Sequence, residues 1–373
     1  MSGIYIHIPF CERKCFYCDF YSVDNLNLVH DFNSALSKEI ELRSKINNIG
    51  KISTIYFGGG TPSILDPKLI ENYINLLSEK FELLPDIEIT IECNPNSVNK
   101  EKLEYYKSIG INRISLGVQS FIDEELIFLR RLHNSDGAKR AIEDIYSSKF
   151  DNLSIDLIFA LPESDIHSLE FNLKEAMKFQ PKHISAYSLI YEDSTPLNMA
   201  LMDGEIKKID EGAESEMYLF VMEYLKKNGY NHYEVSNYAL PGFESIHNSK
   251  YWDHSEYIGL GPSAHSFIES RRLWNYPDIR KYNHTLSSGL LPVENEELID
   301  DDILLEEVLF LGLRSKGIDL SYIQERFDID FLKKKENIIQ VLSDENFITI
   351  DNSMIRLTNK GFLVCDEICA KLI

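Results

Sequence analysis

The chain has 373 residues, of which 44% are hydrophobic and 26% charged, a composition typical of soluble globular proteins. Its formal net charge of −22 argues against non-specific binding of nucleic acid and against electrostatic binding to anionic membranes, because both need an excess of Lys and Arg. No apolar run reaches the ~20 residues that span a bilayer, and no secretory signal opens the chain, so we expect a cytoplasmic protein.

The first predicted element is a strand over residues 4–8, and a trio of cysteines follows it closely. Cys11, Cys15 and Cys18 have the spacing C-x3-C-x2-C. Thiolates bind soft metals and iron–sulfur clusters, and three of them would leave one iron of a four-iron cluster without a protein ligand. A zinc site with His7 as the fourth ligand is the alternative. Three close cysteines fit a disulfide framework poorly, so an open iron–sulfur site is the favoured interpretation.

Further along the chain, short β-rich runs alternate with helical patterns, which predicts a parallel sheet. The predicted strands lie at residues 4–8, 53–57, 87–92, 113–116, 154–159 and 183–189. About six such units predict an α/β fold, an incomplete parallel β/α barrel that occupies residues 1–235. The active site of such a barrel lies at the carboxyl ends of its strands.

Several candidate ligand-binding residues come at or near these strand ends. Gly59 and Gly60 follow the second strand, where glycine lets the backbone approach a ligand closely. Glu92 ends the third strand as a potential hydrogen-bond acceptor, and Gln119 follows the fourth. Asp156 lies within the fifth strand. Because a carboxylate buried without a partner is costly, we expect Asp156 to face the barrel interior and a polar ligand.

Residues 236–300 are predicted to connect two domains and to pack on the barrel. They contain the pattern H-N-x-x-Y-W at residues 247–252. His247 is a candidate axial ligand for a heme iron, and Tyr251 and Trp252 could lie against a macrocycle. The same residues could equally brace a loop over the barrel.

Residues 301–373 are predicted to form a small winged-helix-like α+β domain. Helices are predicted at 303–314, 320–327, 331–342 and from about 359, with a hairpin of strands at 347–350 and 354–357. We expect this domain to pack against the barrel or to contact protein. Cys365 and Cys369 share one helix face, where two idle thiols are favoured over a metal site.

The cysteine spacing, with Tyr17 before the last cysteine, resembles the signature of the radical S-adenosylmethionine (SAM) superfamily. The preceding run Y-x-H-x-P-F-C is similar to the narrower coproporphyrinogen dehydrogenase-like branch. The resemblance implies a [4Fe-4S] cluster on Cys11, Cys15 and Cys18, whose fourth iron binds SAM.

The resemblance also implies which residues contact SAM. They are Tyr5, Tyr17, Gly59, Gly60, Thr61, Glu92, Gln119, Arg131 and Asp156. Arg131 has Arg130 beside it, so this assignment could shift by one residue. Ala160 and Glu163 stand where the family often has glycines, which predicts a somewhat different loop after the fifth strand.

Three functions follow from these interpretations. The H-N-x-x-Y-W pattern resembles the hallmark of heme chaperones of this family, which bind heme through residues that would here be His247, Asn248, Tyr251 and Trp252. Respiratory-chain heme proteins are the acceptors that the resemblance implies. The second function is oxygen-independent coproporphyrinogen III oxidation, but that enzyme carries another cysteine where this chain has Phe20. The third is a zinc-stabilised barrel without a redox role. We favour the heme chaperone and assign no catalytic residue.

Overall fold

The computed structural model describes residues 1–45 and 49–373. Its strands are β1 Ser2–Ile8, β2 Ile52–Gly59, β3 Leu83–Cys93, β4 Arg113–Gln119, β5 Asn152–Phe159, β6 His183–Ser188, β7 Asn231–Glu234, β8 Asn237–Ala239, β9 Tyr257–Leu260, β10 His265–Ile268, β11 Arg271–Asn275, β12 Val293–Leu298, β13 Ile318–Asp319, β14 Ile348–Asp351 and β15 Met354–Leu357.

The α-helices alternate with the first strands and then dominate the end of the chain. They are α1 Val29–Arg43, α2 Pro67–Lys80, α3 Lys100–Ser108, α4 Asp123–Phe128, α5 Ser135–Ser147, α6 Ile166–Met177, α7 Pro196–Met202, α8 Glu211–Lys227, α9 Ile246–Trp252, α10 Ile279–Ser287, α11 Asp301–Leu313, α12 Leu320–Phe327, α13 Phe331–Lys334, α14 Glu336–Asp344, α15 Asn359–Phe362 and α16 Cys365–Leu372.

The large sheet has the order β12-β11-β10-β9-β1-β2-β3-β4-β5-β6-β8-β7. The strands from β9 to β6 in this order pair in parallel. The predicted incomplete parallel barrel is therefore confirmed. The sequence did not predict β9 as a further parallel strand, because only four residues form it and they lie in the region interpreted as a connection. Antiparallel strands extend both edges of the sheet.

The two faces of the barrel strands differ in chemistry. On β1, the side chains of Ile4, Ile6 and Ile8 are fully buried in the core between sheet and helices. The alternate residues of that strand, Tyr5 and His7, face the barrel interior, where they contact each other and the neighbouring strand. Strands buried on both faces usually carry apolar residues throughout. A polar inner face therefore indicates an interior that serves a ligand rather than packing.

The helices begin where the sequence provides capping residues. The side chain of Asp66 accepts a hydrogen bond from the backbone N–H of Lys68 at 2.9 Å, and Pro67 occupies the first turn of α2. The buried face of α2 consists of Ile70, Tyr73, Ile74 and Leu77, which recur with helical periodicity. This spacing places the apolar side chains on the one face of α2 that packs against the core.

The end of the chain has its own hydrophobic core. It includes Leu309, Leu313, Ile323, Ile355 and Ile368. Strands β13, β15 and β14 form a small antiparallel sheet within it, and α13 and α14 replace the single helix predicted at 331–342, with a break at residue 335. The division at residues 235 and 300 stays a prediction, although residues 236–300 supply five strands, β8–β12, to the large sheet.

In the described ranges 1–45 and 49–373, no helix is both long and apolar enough to cross a bilayer.

Candidate functional site

The cysteine loop connects β1 to α1 at the carboxyl end of the barrel. Its backbone is fixed on both sides, since the N–H of Cys11 donates to the carbonyl of Val23 at 3.0 Å and the N–H of Leu197 donates to the carbonyl of Phe16 at 3.0 Å. Phe16 lies in a small apolar cluster with residues of α7. The loop is therefore held in place by packing and backbone hydrogen bonds, independently of its thiols.

The thiols of Cys11, Cys15 and Cys18 are all free, and the first is buried while the others are half-buried. The Nη1 of Arg131 donates to the sulfur of Cys15 at 3.2 Å, and the hydroxyl of Thr61 donates to the sulfur of Cys11 at 3.6 Å. Hydrogen bonds to sulfur are one means by which proteins tune iron–sulfur clusters. Burial raises the pKa of the Cys18 thiol to about 11, so metal binding would have to displace its proton.

His7, the fourth ligand of the zinc alternative, has both ring nitrogens engaged. Its Nε2 donates to the carbonyl of Tyr21 at 2.8 Å, and its Nδ1 accepts from the hydroxyl of Tyr5 at 3.1 Å. Burial lowers its pKa to about 4, so the ring is neutral at pH 7. Among the residues that the structure describes, no three His, Cys, Asp or Glu side chains, the cysteine trio included, are grouped to hold a single metal ion, whereas each thiol of a cluster would bind a different iron. The zinc alternative therefore lacks its fourth ligand.

The loop after β2 brings bare backbone against the cysteine loop. Gly59 has φ +111°, and a Cβ there would lie 2.7 Å from the ring of His7. A Cβ on Gly60 would lie 2.7 Å from the carbonyl oxygen of Phe10 and 3.0 Å from the sulfur of Cys11. Only glycine fits both positions, so the backbone itself forms the wall beside the thiols.

Glu92 lies at the end of β3, next to this glycine loop. Its carboxylate accepts hydrogen bonds from the hydroxyl of Tyr56 at 2.8 Å and from the N–H of Gly59 at 3.2 Å. Burial raises the pKa of Glu92 to about 7, although the hydrogen bond from Tyr56 acts in the opposite direction. The pKa of this hydrogen-bond acceptor thus lies near neutral pH.

Arg131 joins the cysteine loop to the ends of β3 and β4. Besides its contact with Cys15, its Nη2 donates to Asn94 Oδ1 at 2.5 Å and to the carbonyl of Gly117 at 2.8 Å. Its Nε is buried without a partner. Gln119 adopts φ +70° at the end of β4, and its Nε2 would lie 2.9 Å from a Cβ on Gly117. A guanidinium with an unpaired buried N–H suits a carboxylate ligand such as that of SAM.

Asp156 faces the barrel interior, as expected. Its carboxylate accepts hydrogen bonds from the hydroxyl of Ser115 at 3.0 and 3.2 Å and from Ser154 at 3.1 Å. Burial raises its pKa. Together with Glu92 it borders a polar interior cavity of about 60 Å³, large enough for water or for a small polar part of a ligand.

Both tyrosines of the implied SAM set are half-buried. Tyr17 lies beside Arg131 and the thiols of Cys15 and Cys18, and burial raises the pKa of its hydroxyl. The ring of Tyr5 lies 6.1 Å from that of Tyr56. The structure thus brings the implied SAM residues together around the carboxyl end of one barrel.

The 247–252 segment lies away from this end. It forms α9, and His247, with 1% of its surface exposed, contacts the amino-terminal half of β2. Its Nδ1 is 2.8 Å from the hydroxyl of Thr54, and its Nε2 is 3.0 Å from the hydroxyl of Tyr251. In this arrangement neither nitrogen is free to bind an iron. Asn248 borders the interior cavity, and Trp252 is the half-buried last residue of α9.

Two further site residues were not singled out from the sequence. The side-chain amide of Asn94 donates to the hydroxyl of Thr61 at 2.9 Å and accepts a hydrogen bond from Arg131. The hydroxyl of Tyr56 donates to the carboxylate of Glu92. Asn94 follows Glu92 at a strand end, and Tyr56 occupies an inward position of β2. Their positions in the strands were the available signal.

These residues fit an iron–sulfur cluster with SAM. The cysteines supply three thiols, the glycine loop supplies bare backbone, and Arg131, Glu92 and Asp156 supply the charges that the amino acid and ribose parts of SAM would meet. The unpaired Nε of Arg131 and the close approach of the Gly60 backbone to Cys11, which leaves no room for a Cβ, support this fit.

Comparison with known proteins agrees with this geometry. Residues 5–175 match the model of the Radical SAM superfamily, and residues 299–364 match that of the HemN C-terminal domain. The chain is 35% identical to heme chaperone HemW of Lactococcus lactis over 376 residues, which cover 100% of this chain and 97% of that protein. It is 32% identical to heme chaperone HemW of Bacillus subtilis, over 99% of this chain and 98% of that protein.

Among solved structures, the chain resembles coproporphyrinogen III oxidase (HemN) from Escherichia coli. The TM-score is 0.85 at 22% identity, over 100% of this chain and 90% of that chain. At this level of identity the likeness establishes the shared fold.

Proposed function

Because the chain belongs to the family of proteins named heme chaperone HemW, we propose that it binds heme and transfers it to an acceptor protein. In this proposal it carries a [4Fe-4S] cluster on Cys11, Cys15 and Cys18 and binds SAM exchangeably at the open iron. The observation that carries the proposal is the identity of 35% along the whole length of both chains.

The site residues have distinct roles in this proposal. When bound, the cluster and SAM supply one-electron chemistry. Arg131 holds the SAM carboxylate and at the same time hydrogen-bonds to Cys15. Glu92 and Asp156 accept hydrogen bonds from the hydroxyl groups of the ligand, and the backbone at Gly59 and Gly60 lets it lie close to the thiols.

Coproporphyrinogen III oxidation is the second candidate, since the fold is shared with an enzyme of that name. Fold alone is weak support for a function. The position of the additional cysteine is occupied here by Phe20, whose side chain is 68% exposed beside the cysteine loop. The additional cysteine of that enzyme's signature is thus absent from this chain, so this candidate is the weaker one.

We place the protein in the cytoplasm, where free thiols and a cluster are compatible with the reducing conditions. Its acceptor would be a heme protein, and the family resemblance implies one of the respiratory chain.

The test is an anaerobic heme titration of cluster-loaded protein, followed by absorbance, in parallel with an assay for loss of coproporphyrinogen III in the presence of SAM and a reductant. We expect stoichiometric, saturable heme binding and no consumption of coproporphyrinogen III. Consumption of coproporphyrinogen III without saturable heme binding would instead support the second candidate.

A further inference from the structure

Helix α9 lies against the amino-terminal end of the barrel, opposite to the cysteine loop. At this end, Gly3 on β1, Thr54 on β2 and Glu88 on β3 lie side by side in the strand register. His247 contacts Thr54 at this level, and a Cβ on Gly3 would lie 3.2 Å from the Nδ1 of His247. The helix thus closes the end of the barrel that the cluster and SAM do not use.

Several buried groups fix α9 in this position. The carboxylate of Glu88 accepts hydrogen bonds from the N–H of His247 at 2.9 Å and from the N–H of Ile246 at 3.3 Å. The side chain of Ser245 caps the helix at the N–H of Asn248, and Lys250 Nζ donates to the carbonyl of Met1 at 3.1 Å. These contacts use main-chain and side-chain groups together, so the ring of His247 has one defined place.

From this place a continuous chain of contacts leads to the SAM site. The ring of His247 stacks on the ring of Tyr56, with centroids 5.0 Å apart and 29° between the planes. The hydroxyl at the other end of Tyr56 donates to Glu92, and Glu92 accepts from the N–H of Gly59. Because Tyr56 spans the interior between the two ends, the position of its hydroxyl depends on what supports its ring.

We propose that His247 is a positioning residue for the SAM site: it holds the ring of Tyr56, and thereby the carboxylate of Glu92, from the closed end of the barrel. The inference rests on the SAM site of the proposed function and assigns His247 a role other than that of an iron ligand. Both ring nitrogens serve to orient the imidazole, one through Thr54 and the other through Tyr251.

The test compares SAM affinity among variants of the full, cluster-loaded chain by equilibrium dialysis, with the electron paramagnetic resonance signal of the reduced cluster as a second readout. We expect His247→Ala to weaken SAM binding roughly tenfold, similar to the loss of one hydrogen bond to a charged group. We expect Tyr56→Phe, which keeps the ring and removes the hydroxyl, to do the same. Both variants should weaken the change in the cluster signal that SAM produces.

A double variant separates positioning from general damage. If His247 acts through Tyr56, His247→Ala combined with Tyr56→Phe should bind SAM no more weakly than the worse single variant, because the effects of coupled residues do not add. His232→Ala is the matched control, since that ring also stacks on a tyrosine, Tyr238 at 4.5 Å, but at the far edge of the sheet. Its SAM affinity should equal that of the wild type.

Wild-type SAM affinity in His247→Ala, or additive losses in the double variant, would overturn the inference. If His247→Ala does not fold, Tyr251→Phe removes a single hydrogen bond to His247 and should weaken SAM binding by a smaller factor, and no change there would overturn the inference as well. Loss of heme binding with unchanged SAM affinity would identify His247 as an iron ligand instead. Absence of heme binding by the wild type would contradict the proposed function, and the SAM comparison would still decide the inference.

Discussion

Among single residues, Glu92 shows most directly how a ligand site opposes stability. Burial raises the pKa of its carboxyl from 4.5 to about 7 in the folded chain. The folded state therefore holds this proton more tightly than the unfolded state. Its contribution to stability is fully present below pH 4.5 and is lost as the pH rises through 7.

Replacing Glu92 by Gln should remove this pH dependence. We compare the free energy of unfolding of Glu92→Gln with that of the wild type in the absence of SAM. From pH 5 to pH 8, we expect the difference to shift in favour of the variant by on the order of 1 to 3 kcal/mol. Denaturant unfolding at several pH values measures it. The exposed Glu79 of α2 provides the control variant, Glu79→Gln. A difference between Glu92→Gln and wild type that does not vary with pH would contradict the assignment of a buried, proton-binding carboxyl.

The thiol of Cys15 accepts a hydrogen bond from Arg131, and its substitution tests the cluster assignment. We expect Cys15→Ser to lose the cluster, because a serine hydroxyl is a poor ligand for iron–sulfur clusters. Iron content and visible absorbance after anaerobic reconstitution measure this. Cys93→Ser is the control, since Cys93 is a buried thiol on β3 outside the trio. Full iron content and absorbance in Cys15→Ser would show that the trio is wrongly assigned.

At the scale of elements, the loop from β5 to α6 has positive φ angles, which favour glycine, at two residues that are not glycine. Ala160 and Glu163 have φ of 59° and 64°, in the left-handed region that costs a residue with a side chain roughly 1 kcal/mol or more. The departure noted in the sequence thus leaves two strained residues in the loop that follows β5.

Relief of this strain is measurable at Glu163, whose side chain is exposed. We expect Glu163→Gly to raise the free energy of unfolding by about 0.5 to 1 kcal/mol, after allowance for the added entropy of the unfolded chain. Glu163→Ala removes the same side chain and keeps the strain, so it should change stability little. Equal effects of the two variants in denaturant unfolding would count against the strain.

Helix α1 is joined to α10 and to the β9–β10 turn by a buried carboxylate. Glu39 accepts hydrogen bonds from the hydroxyl of Tyr282 at 2.6 Å, from the N–H of Gly261 at 2.8 Å and from Asn275 Nδ2 at 2.8 Å. Arg43 lies beside it, and both side chains are almost fully buried. These contacts link the first helix to a segment more than 200 residues later.

Removal of this buried carboxylate should lower the free energy of unfolding much more than removal of an exposed one. We expect Glu39→Ala to lower the free energy of unfolding by roughly 3 to 5 kcal/mol, because Arg43 stays buried without its charge partner. Glu41→Ala is the control on the same helix; its pair with Lys38 is about half exposed, so a loss below about 1 kcal/mol is expected. Similar losses in both variants would contradict the account of this network.

Across the whole molecule, what the sequence could predict depended on how local the signal was. The cysteine loop, the strand order from β1 to β6 and the inward position of Asp156 follow from spacing and alternation within short segments. The placement of His247 did not, because its partners Thr54 and Glu88 come from strands more than 150 residues earlier. The antiparallel edges β7–β8 and β10–β12 were missed for the same reason: their pairing depends on the completed sheet.

The two ends of the barrel and the C-terminal domain form one connected structure. The N–H of Val235 donates to the carbonyl of Arg314 at 2.8 Å, and the ring of His232 lies 4.6 Å from that of Phe362. The barrel, which would hold the proposed cluster and SAM site, is thus joined by direct contacts to the C-terminal helices.

The central claim, transfer of heme, is tested most directly by the rate at which heme leaves the loaded protein in the presence of a heme-depleted respiratory cytochrome. Absorbance changes in an anaerobic stopped-flow experiment follow both proteins. If the chain is a chaperone, the rate of heme loss should rise with the concentration of the acceptor, because the acceptor takes heme within a complex. A rate that is independent of the acceptor concentration would mean simple release, and it would contradict the proposed function.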